Sequence, residues 1–281
     1  MNVNISNYPK STLRIALAQV CSEDGNISKN VQTVICAIEK AAREKAKIVI
    51  FPEKFLTGYV PELINTDFEK YTICRNDIRI QPIKDACKRN NIYAIVGTPF
   101  RENDEKYISS IVINNLGEEI DVYSKTHLFY TETSIFKSNN NLSILNIDDW
   151  KIGLGICYDA GFAEHSRILA QAGCHLYLVS SLFSRGNGYS ESRIWFPARA
   201  LDNTIYAAMC NHVGTTGIWN ACGSSAVWGP LGKVVDEASA DDEELLVVDL
   251  DPAKLKEARE GELMLSDSFN ASYTLNDIKN V

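Results

Sequence analysis

The chain has 281 residues, of which 45% are hydrophobic and 23% are charged, and its formal net charge is −8. A chain of this length and composition can bury a large core, so it needs neither disulfides nor a metal to fold, and a disordered protein is excluded. Because the charge is negative and no basic cluster contains interleaved aromatic residues, we expect no nucleic-acid partner. Residues 1–11 lack a signal-peptide core and no segment reaches the length of a membrane span, so we expect no membrane association and a cytoplasmic protein.

Strands and helices alternate along most of the chain. Apolar runs rich in β-branched residues predict strands, which begin at residues 13, 47, 92, 109, 150, 175, 204 and 244. Apolar residues at helical spacing predict helices, which cover residues 26–46, 77–90, 163–172 and 190–202. This alternation favours the α/β class. Residues 109–123 contain two strands around an Asn-Asn-Leu-Gly turn, and such a hairpin makes the predicted sheet mixed.

The chain is predicted to form one domain. No internal repeat, low-complexity tract or Gly/Ser linker marks a boundary within residues 1–281. We place the core of this domain at about residues 12–252 and a C-terminal tail at residues 253–281.

The cysteines and histidines do not predict a disulfide framework or a metal site. The eight cysteines contain no CxxC pair, and Cys36, Cys87 and Cys174 lie among apolar neighbours, where a thiol behaves as a small core residue. The four histidines have neither HxxxH spacing nor a nearby cysteine partner. We therefore expect no metal.

Three polar residues stand at the ends of predicted strands. Cys157 follows the buried run 152–156 and precedes a turn, and side chains at the carboxyl ends of such strands face the crevice where α/β sheets bind ligands. The amides of that turn would supply part of an oxyanion hole and would favour a thiolate. Glu53 follows a strand in the same way, and Lys125 leaves the second strand of the hairpin. Taken singly, the last two are typical of solvated strand ends.

The three residues lie in motifs that resemble a known family. The stretches are FPEKFLTGY around Glu53, YSKTHLF around Lys125 and GICYDAGFAE around Cys157, followed by WFPARALDN, NHVG and GSSAVWGPLG. In this order they resemble the nitrilase superfamily of carbon-nitrogen hydrolases, and the resemblance extends from about residue 14 to about residue 251. It implies a Glu-Lys-Cys triad that consists of Glu53, Lys125 and Cys157.

The resemblance assigns each residue a role that general chemistry supports. Cys157 attacks the carbonyl carbon, Glu53 moves protons as general base and then general acid, and Lys125 stabilises the oxyanion. The backbone amide of Tyr158 joins Lys125 at the oxyanion, and Glu132 occupies the place of a second glutamate that orients the lysine or the substrate.

The resemblance also implies the architecture. We expect a four-layer α-β-β-α sandwich with two mixed central sheets, no cofactor, and a homodimer or larger even homo-oligomer. In such assemblies the subunits pack through an outer helical layer, to which the predicted helix 190–202 would contribute.

The substrate is expected to be a small linear amide that yields ammonia and a carboxylate. The tyrosine after the nucleophile favours the amidase or carbamoylase branch, so an N-carbamoyl amine or amino acid is the alternative substrate and a nitrile a less favoured one. The stretch CYDAGFAE has Gly161 and Ala163 where many members have Arg and Pro, so the pocket entrance is expected to differ. Candidate pocket residues are aromatic: Tyr59, Tyr158, Phe183, Trp195 and Trp219. A catalytically silent binding protein would be expected to lack one residue of the triad.

Overall fold

The computed structural model describes residues 7–269. Within these residues the strands are β1 (Leu13–Gln19), β2 (Ile48–Ile50), β3 (Tyr93–Glu102), β4 (Glu105–Ile113), β5 (Glu119–Ser124), β6 (Ile144–Ile147), β7 (Trp150–Ile156), β8 (Leu176–Ser181), β9 (Tyr206–Asn211), β10 (Val213–Thr216), β11 (Trp219–Cys222), β12 (Ala226–Trp228), β13 (Val234–Glu237) and β14 (Glu244–Leu250). The α-helices are α1 (Ile27–Arg43), α2 (Glu62–Thr66), α3 (Phe68–Tyr71), α4 (Gln81–Asn90), α5 (Ala163–Gln171), α6 (Asn187–Asn203), α7 (Pro252–Gly261) and α8 (Met264–Asp267). Short 3₁₀ turns cover Ile78–Ile80 and Cys157–Gly161.

Two six-stranded sheets form the centre of the fold. The first has the order β14-β1-β2-β3-β4-β5, and the second has the order β13-β12-β9-β8-β7-β6. Each combines parallel and antiparallel pairs: β1, β2 and β3 run parallel, whereas β3, β4 and β5 are antiparallel neighbours. The predicted hairpin is therefore present as β4 and β5, and both predicted sheets are mixed.

Alternate residues of each strand pack on opposite faces, as a pleated backbone requires. On β1, Ile15 and Leu17 join a core that also contains Leu154 and Ile156 of the second sheet. The intervening residues, such as Ala16, pack instead against helices α1 and α4. Helices α5 and α6 cover the outer face of the second sheet in the same way. The resulting layers, helix, sheet, sheet and helix, confirm the predicted α-β-β-α sandwich.

Several element boundaries differ from the predicted ones. The predicted helix 77–90 begins as a 3₁₀ turn, and α4 itself begins at Gln81. The predicted strand from residue 204 is divided at His212 into β9 and β10. Cys36, which we interpreted as a core residue, is exposed.

Part of the predicted C-terminal tail is folded onto the domain. Residues 252–267 form α7 and α8, in which Leu255 and Leu265 are buried. Residues 270–281 of that tail lie outside the described part of the chain. Between residues 7 and 269, none of the helices combines the length and the apolar character that crossing a bilayer requires.

Gly97 on β3 permits a close approach of the segment that carries Glu53. A Cβ atom at Gly97 would lie 2.1 Å from the carbonyl oxygen of Pro52 and 2.8 Å from the amide nitrogen of Lys54. Both atoms belong to the backbone, so they cannot move aside as a flexible side chain would. Strand β3 thus sets the position of the chain immediately around Glu53.

We predict that Gly97→Ala lowers the free energy of unfolding by about 2 kcal/mol, because the added methyl group overpacks a backbone contact. Gly229→Ala is the matched control, since the nearest atom to its added Cβ is a side-chain carbon at 3.5 Å, an ordinary contact distance. Urea unfolding monitored by circular dichroism measures both variants. Equal stability of the two variants would contradict the proposed packing constraint.

Candidate active site

The structure brings Glu53, Lys125 and Glu132 together in one buried cluster. Glu53 follows β2, and Lys125 directly follows β5 of the same sheet. The Lys125 Nζ atom lies 2.8 Å from Glu53 Oε1 and 2.9 Å and 3.1 Å from the two oxygens of Glu132. None of these three side chains is more than 1% exposed. Residues that are 72 positions apart in the sequence therefore form a direct ion pair.

Cys157 follows β7 of the second sheet, and the charges of the same cluster act on its thiol. Its φ angle is +45°, in the left-handed region that non-glycine residues rarely adopt, and it begins a 3₁₀ turn. Its Sγ atom lies 3.3 Å from the carbonyl oxygen of Leu182. A strained backbone conformation of this kind is typical of residues at functional sites.

Asp159 connects the turn of Cys157 to the segment that follows β5. One carboxylate oxygen accepts hydrogen bonds from the Ile156 amide at 3.0 Å and the Tyr123 hydroxyl at 2.7 Å. The other accepts one from the Thr126 hydroxyl at 2.7 Å. Because Thr126 is next to Lys125, these bonds hold the lysine and the cysteine segments in one arrangement. Asp159 is thus a structural residue of the turn.

Glu132 is held as an anion from several directions. Besides Lys125, it accepts hydrogen bonds from the Phe129 amide at 2.8 Å and from the Tyr59 hydroxyl. Burial by itself would raise its pKa, but the charges of Lys125 and Lys54, together with the hydrogen bonds from Tyr59 and Lys125, outweigh burial and lower the pKa to about 2. Glu132 is therefore ionised at neutral pH.

The resting site contains a neutral thiol. Burial raises the pKa of Cys157 well above its ordinary value, and the negative charge of Glu53 raises it further, although Lys125 opposes the change. The thiolate that the turn amides were expected to favour is thus not the resting form. Burial also raises the pKa of Glu53, whereas Lys125 lowers it.

A cavity of about 300 Å³ opens above Cys157. All five aromatic residues that we selected from the sequence line it, namely Tyr59, Tyr158, Phe183, Trp195 and Trp219. The sequence analysis missed other lining residues, which include Phe129, Tyr130, Ser184, Asn187 and Glu191. Apart from Cys157 and the tyrosines, Glu191 is the one ionisable side chain among the lining residues that the structure describes.

The sequence matches the carbon-nitrogen hydrolase family over residues 14–260. The chain belongs to this family. The match confirms the resemblance inferred from the motifs and covers the elements from β1 to α7. Among curated relatives, omega-amidase NIT2 of Mus musculus is 30% identical over 281 residues, which cover 96% of this chain and 99% of that protein. The (R)-stereoselective amidase of a Pseudomonas species is 30% identical over 254 residues, or 88% of each chain.

Solved structures of an amidase from Nesterenkonia sp. AN1 resemble this carbon-nitrogen hydrolase throughout the fold. They superpose with a TM-score of 0.79 at 28% identity and cover 91% of this chain and 97% of the other. One of them carries the acetamide moiety of fluoroacetamide, added covalently at the active site cysteine. Another is a variant in complex with butyramide.

Asn211, the last residue of β9, and His212, which follows it, hold the loops of the site. The His212 Nε2 atom lies 2.7 Å from the backbone oxygen of Glu53, and burial lowers the pKa of His212 to about 4, so the neutral ring donates this hydrogen bond. The side-chain oxygen of Asn211 accepts a hydrogen bond from the Phe183 amide at 2.8 Å. The break between β9 and β10 thus positions both the acid and the pocket wall.

Helix α6 supports the other side of the turn that Cys157 begins. The Arg199 guanidinium donates hydrogen bonds of 2.9 Å to the backbone oxygens of Ala160 and Gly161. Asn203 binds Ser166 on α5 at 3.1 Å. Both contacts are structural, because they hold the turn of Cys157 and α5 against α6.

Lys54 was not predicted from the sequence as a site residue, and its side chain is only 1% exposed. Its Nζ atom lies 3.5 Å from Glu132 Oε1 and therefore belongs to the buried cluster. A lysine at a strand end is normally solvated, so its residue type does not predict this location. The available signal was its position between Phe51 and the apolar pair Phe55 and Leu56, all of which are buried.

Within residues 7–269, no group of three or more His, Cys, Asp or Glu side chains has an arrangement that could hold a metal ion. The described acids around Cys157 are bound instead to lysines, a tyrosine hydroxyl and backbone amides. Their arrangement suits proton transfer and charge stabilisation by side chains.

Proposed function

We propose that this carbon-nitrogen hydrolase cleaves small linear amides through a thioester on Cys157. The observation that carries the proposal is the buried ion pair of Glu53 and Lys125, with 2.8 Å between Nζ and Oε1, whose charges act on the thiol of Cys157 in the cavity lining. An amide needs an activated nucleophile, an oxyanion donor and an acid for the leaving nitrogen, and this cluster offers all three.

In the first half-reaction, Glu53 accepts the proton of the Cys157 thiol, and the thiolate attacks the carbonyl carbon. The Glu53 Oε2 atom is suited to this transfer because it is buried and has no hydrogen-bond partner among the described residues. The oxyanion is stabilised by Lys125 and by the backbone amide of Tyr158. Glu53 then gives its proton to the nitrogen and the C–N bond breaks. Ammonia departs, and a thioester remains on Cys157.

In the second half-reaction, Glu53 takes a proton from water, and the resulting hydroxide attacks the thioester carbonyl. The C–S bond breaks, a carboxylic acid leaves, and the proton returns to the sulfur of Cys157. The same carboxylate therefore serves both half-reactions. Glu132 keeps Lys125 in place through bonds to both of its oxygens.

The cavity supports a substrate with a short acyl chain that carries no negative charge. A volume of about 300 Å³ suits a small ligand, and seven aromatic side chains provide apolar contacts. Neither Lys nor Arg occurs among the described lining residues, whereas Glu191 adds a negative charge at the wall. A carboxylate on the acyl chain would have no ionic partner there, whereas an ammonium group would have Glu191 and the aromatic faces.

We further propose that the enzyme is a homodimer or a larger even homo-oligomer that assembles through its outer helices. Ile194 and Leu201 lie two turns apart on α6 and are 65% and 37% exposed, and Ile168 on α5 is 52% exposed. Exposed apolar side chains on one face of a surface helix favour burial against a partner.

For the assembly, we predict that sedimentation velocity shows a dimer or a larger even oligomer of the wild type. Ile194→Asp should shift this species toward monomer, because it places a charge in the apolar contact. Ile218→Asp is the control, since Ile218 is 89% exposed in the turn between β10 and β11 and lies outside the two helices. A monomeric, fully active wild-type enzyme would refute this part of the proposal.

For the chemistry, we predict that Cys157→Ala abolishes ammonia release from amides, because the nucleophile is lost. Glu53→Gln should lower the rate by about 10²–10⁴-fold, because the amide cannot accept the thiol proton. Cys36→Ala is the control, since that thiol is exposed and outside the site. Mass spectrometry of the trapped thioester reports acylation separately from turnover. Normal acyl-enzyme formation by Glu53→Gln would assign the base to another residue.

For the substrate, we predict that kcat/KM falls in the order 6-aminohexanamide, hexanamide and the mono-amide of adipic acid, which have the same chain length and differ in charge. Glu191→Gln should reduce the advantage of the cationic amide over hexanamide by about fivefold, the size of one exposed ion pair. Ammonia release measures the turnover of the three amides, and an N-carbamoyl amine and a nitrile are assayed in the same way. Fastest turnover of the adipic mono-amide would contradict the charge preference, and fastest turnover of the nitrile or carbamoyl compound would contradict the amidase assignment.

A further inference from the structure

Lys54 is a buried cation that the proposed mechanism does not use. It directly follows Glu53, and its φ angle of +52° lies in the left-handed region. Its Nζ atom lies 3.5 Å from Glu132 Oε1 and 3.2 Å from the centroid of the Tyr59 ring. Burying an ammonium group is costly, and so is a left-handed backbone at a lysine. Such a costly arrangement needs a compensating role.

The charges around Glu53 explain what this cation contributes. Without Lys54, the cluster would contain two carboxylates, Glu53 and Glu132, and a single ammonium group on Lys125, which bonds to both carboxylates. Glu132 would then oppose ionisation of Glu53 across a desolvated site. Lys54 is placed on the side of Glu132, where its charge balances the second carboxylate.

We propose that Lys54 is a positioning residue that balances the charge of Glu132 and thereby keeps Glu53 ionised as the proton acceptor for Cys157. This inference rests on the proposed function. Lys125 can then pair with Glu53 and stabilise the oxyanion, because Lys54 and the Tyr59 hydroxyl bind Glu132.

The titratable groups that face the pair are Glu132, Lys125, Lys54, Tyr59, Cys157 and His212. Burial raises the pKa values of Tyr59 and Cys157, so both are neutral at pH 7. Burial raises the pKa of Glu53, and among its neighbours Glu132 raises it whereas Lys125 and Lys54 lower it. Burial lowers the pKa of Lys54 itself, and Glu132 opposes that change. His212 is neutral at pH 7, because burial lowers its pKa to about 4, so it contributes no charge that could replace Lys54.

The test is the pH dependence of kcat/KM for hexanamide in Lys54→Met, which keeps the length of the side chain and removes its charge. Glu53 must be ionised to act, so a higher pKa of Glu53 moves the acid limb of the profile to higher pH. We expect the acid limb to shift by about one pH unit. At pH values below the limb kcat/KM then falls about tenfold, and at pH values above it kcat/KM changes little. Lys54→Gln provides a second uncharged variant if the methionine variant does not fold.

Two controls separate charge from structure. Lys54→Arg keeps the charge and should leave the acid limb in place, even if the rate falls. Tyr59→Phe removes a hydrogen bond to Glu132 without changing the charge, so it should lower kcat with an unshifted limb. A rate loss in Lys54→Met that is uniform across pH would overturn the proposal, and so would an unchanged profile.

Alkylation of Cys157 by 2-bromoethanol, a small neutral reagent that is not an amide, is measured over the same pH range and requires no amide hydrolysis. It should show the same displacement of the acid limb between the wild type and Lys54→Met. If amides are not hydrolysed at all, the proposed function fails, and the alkylation profiles still decide the role of Lys54. If amides are hydrolysed and neither profile moves, only the inference about Lys54 fails.

Discussion

The buried bridge from Lys125 to both Glu53 and Glu132 is the interaction on which the site depends. Ions that are removed from water cost several kcal/mol each unless partners compensate them, so this cluster persists only because each charge meets an opposite one at hydrogen-bond distance. That demand constrains the fold: the ends of β2 and β5 and the loop of Glu132 must meet at one point. Gly97 and the contact from His212 to the Glu53 backbone serve this convergence.

The second sheet adds Cys157, the proposed nucleophile, to this cluster of charges. Asp159 ties the turn of Cys157 to the segment after β5, so the thiol and the ion cluster are held by one hydrogen-bond network that crosses between the sheets. Because the resting sulfur is a neutral thiol, the chemistry needs a neighbouring base, and the charge balance of the cluster decides whether Glu53 can act as one. Lys54 belongs to this balance.

Charge and selectivity are separated in space. The ions are almost fully buried and are not among the described residues that line the cavity, whereas the cavity wall is mainly aromatic and carries Glu191 as its single described acid apart from Cys157 and the tyrosines. The proposed chemistry therefore depends on the buried residues, and the proposed preference for an uncharged or cationic acyl chain depends on the wall. Tyr59 belongs to both, because it lines the cavity and its hydroxyl binds Glu132, so we expect substitutions elsewhere in the wall to change the substrate without disturbing the ion pairs.

The sequence by itself determined the alternation of strands and helices, the hairpin of β4 and β5, the family and the placement of Glu53, Lys125 and Cys157 at strand ends, because these signals are local in the chain. Only the tertiary structure decided which strand ends meet, that Lys54 is buried beside Glu132, that Cys36 is exposed, and that Phe129 and Glu191 line the cavity. Burial of a charged side chain depends on partners far away in the sequence, since only an opposite charge brought within a few ångströms makes desolvation tolerable. Residue type and spacing carry no information about such partners.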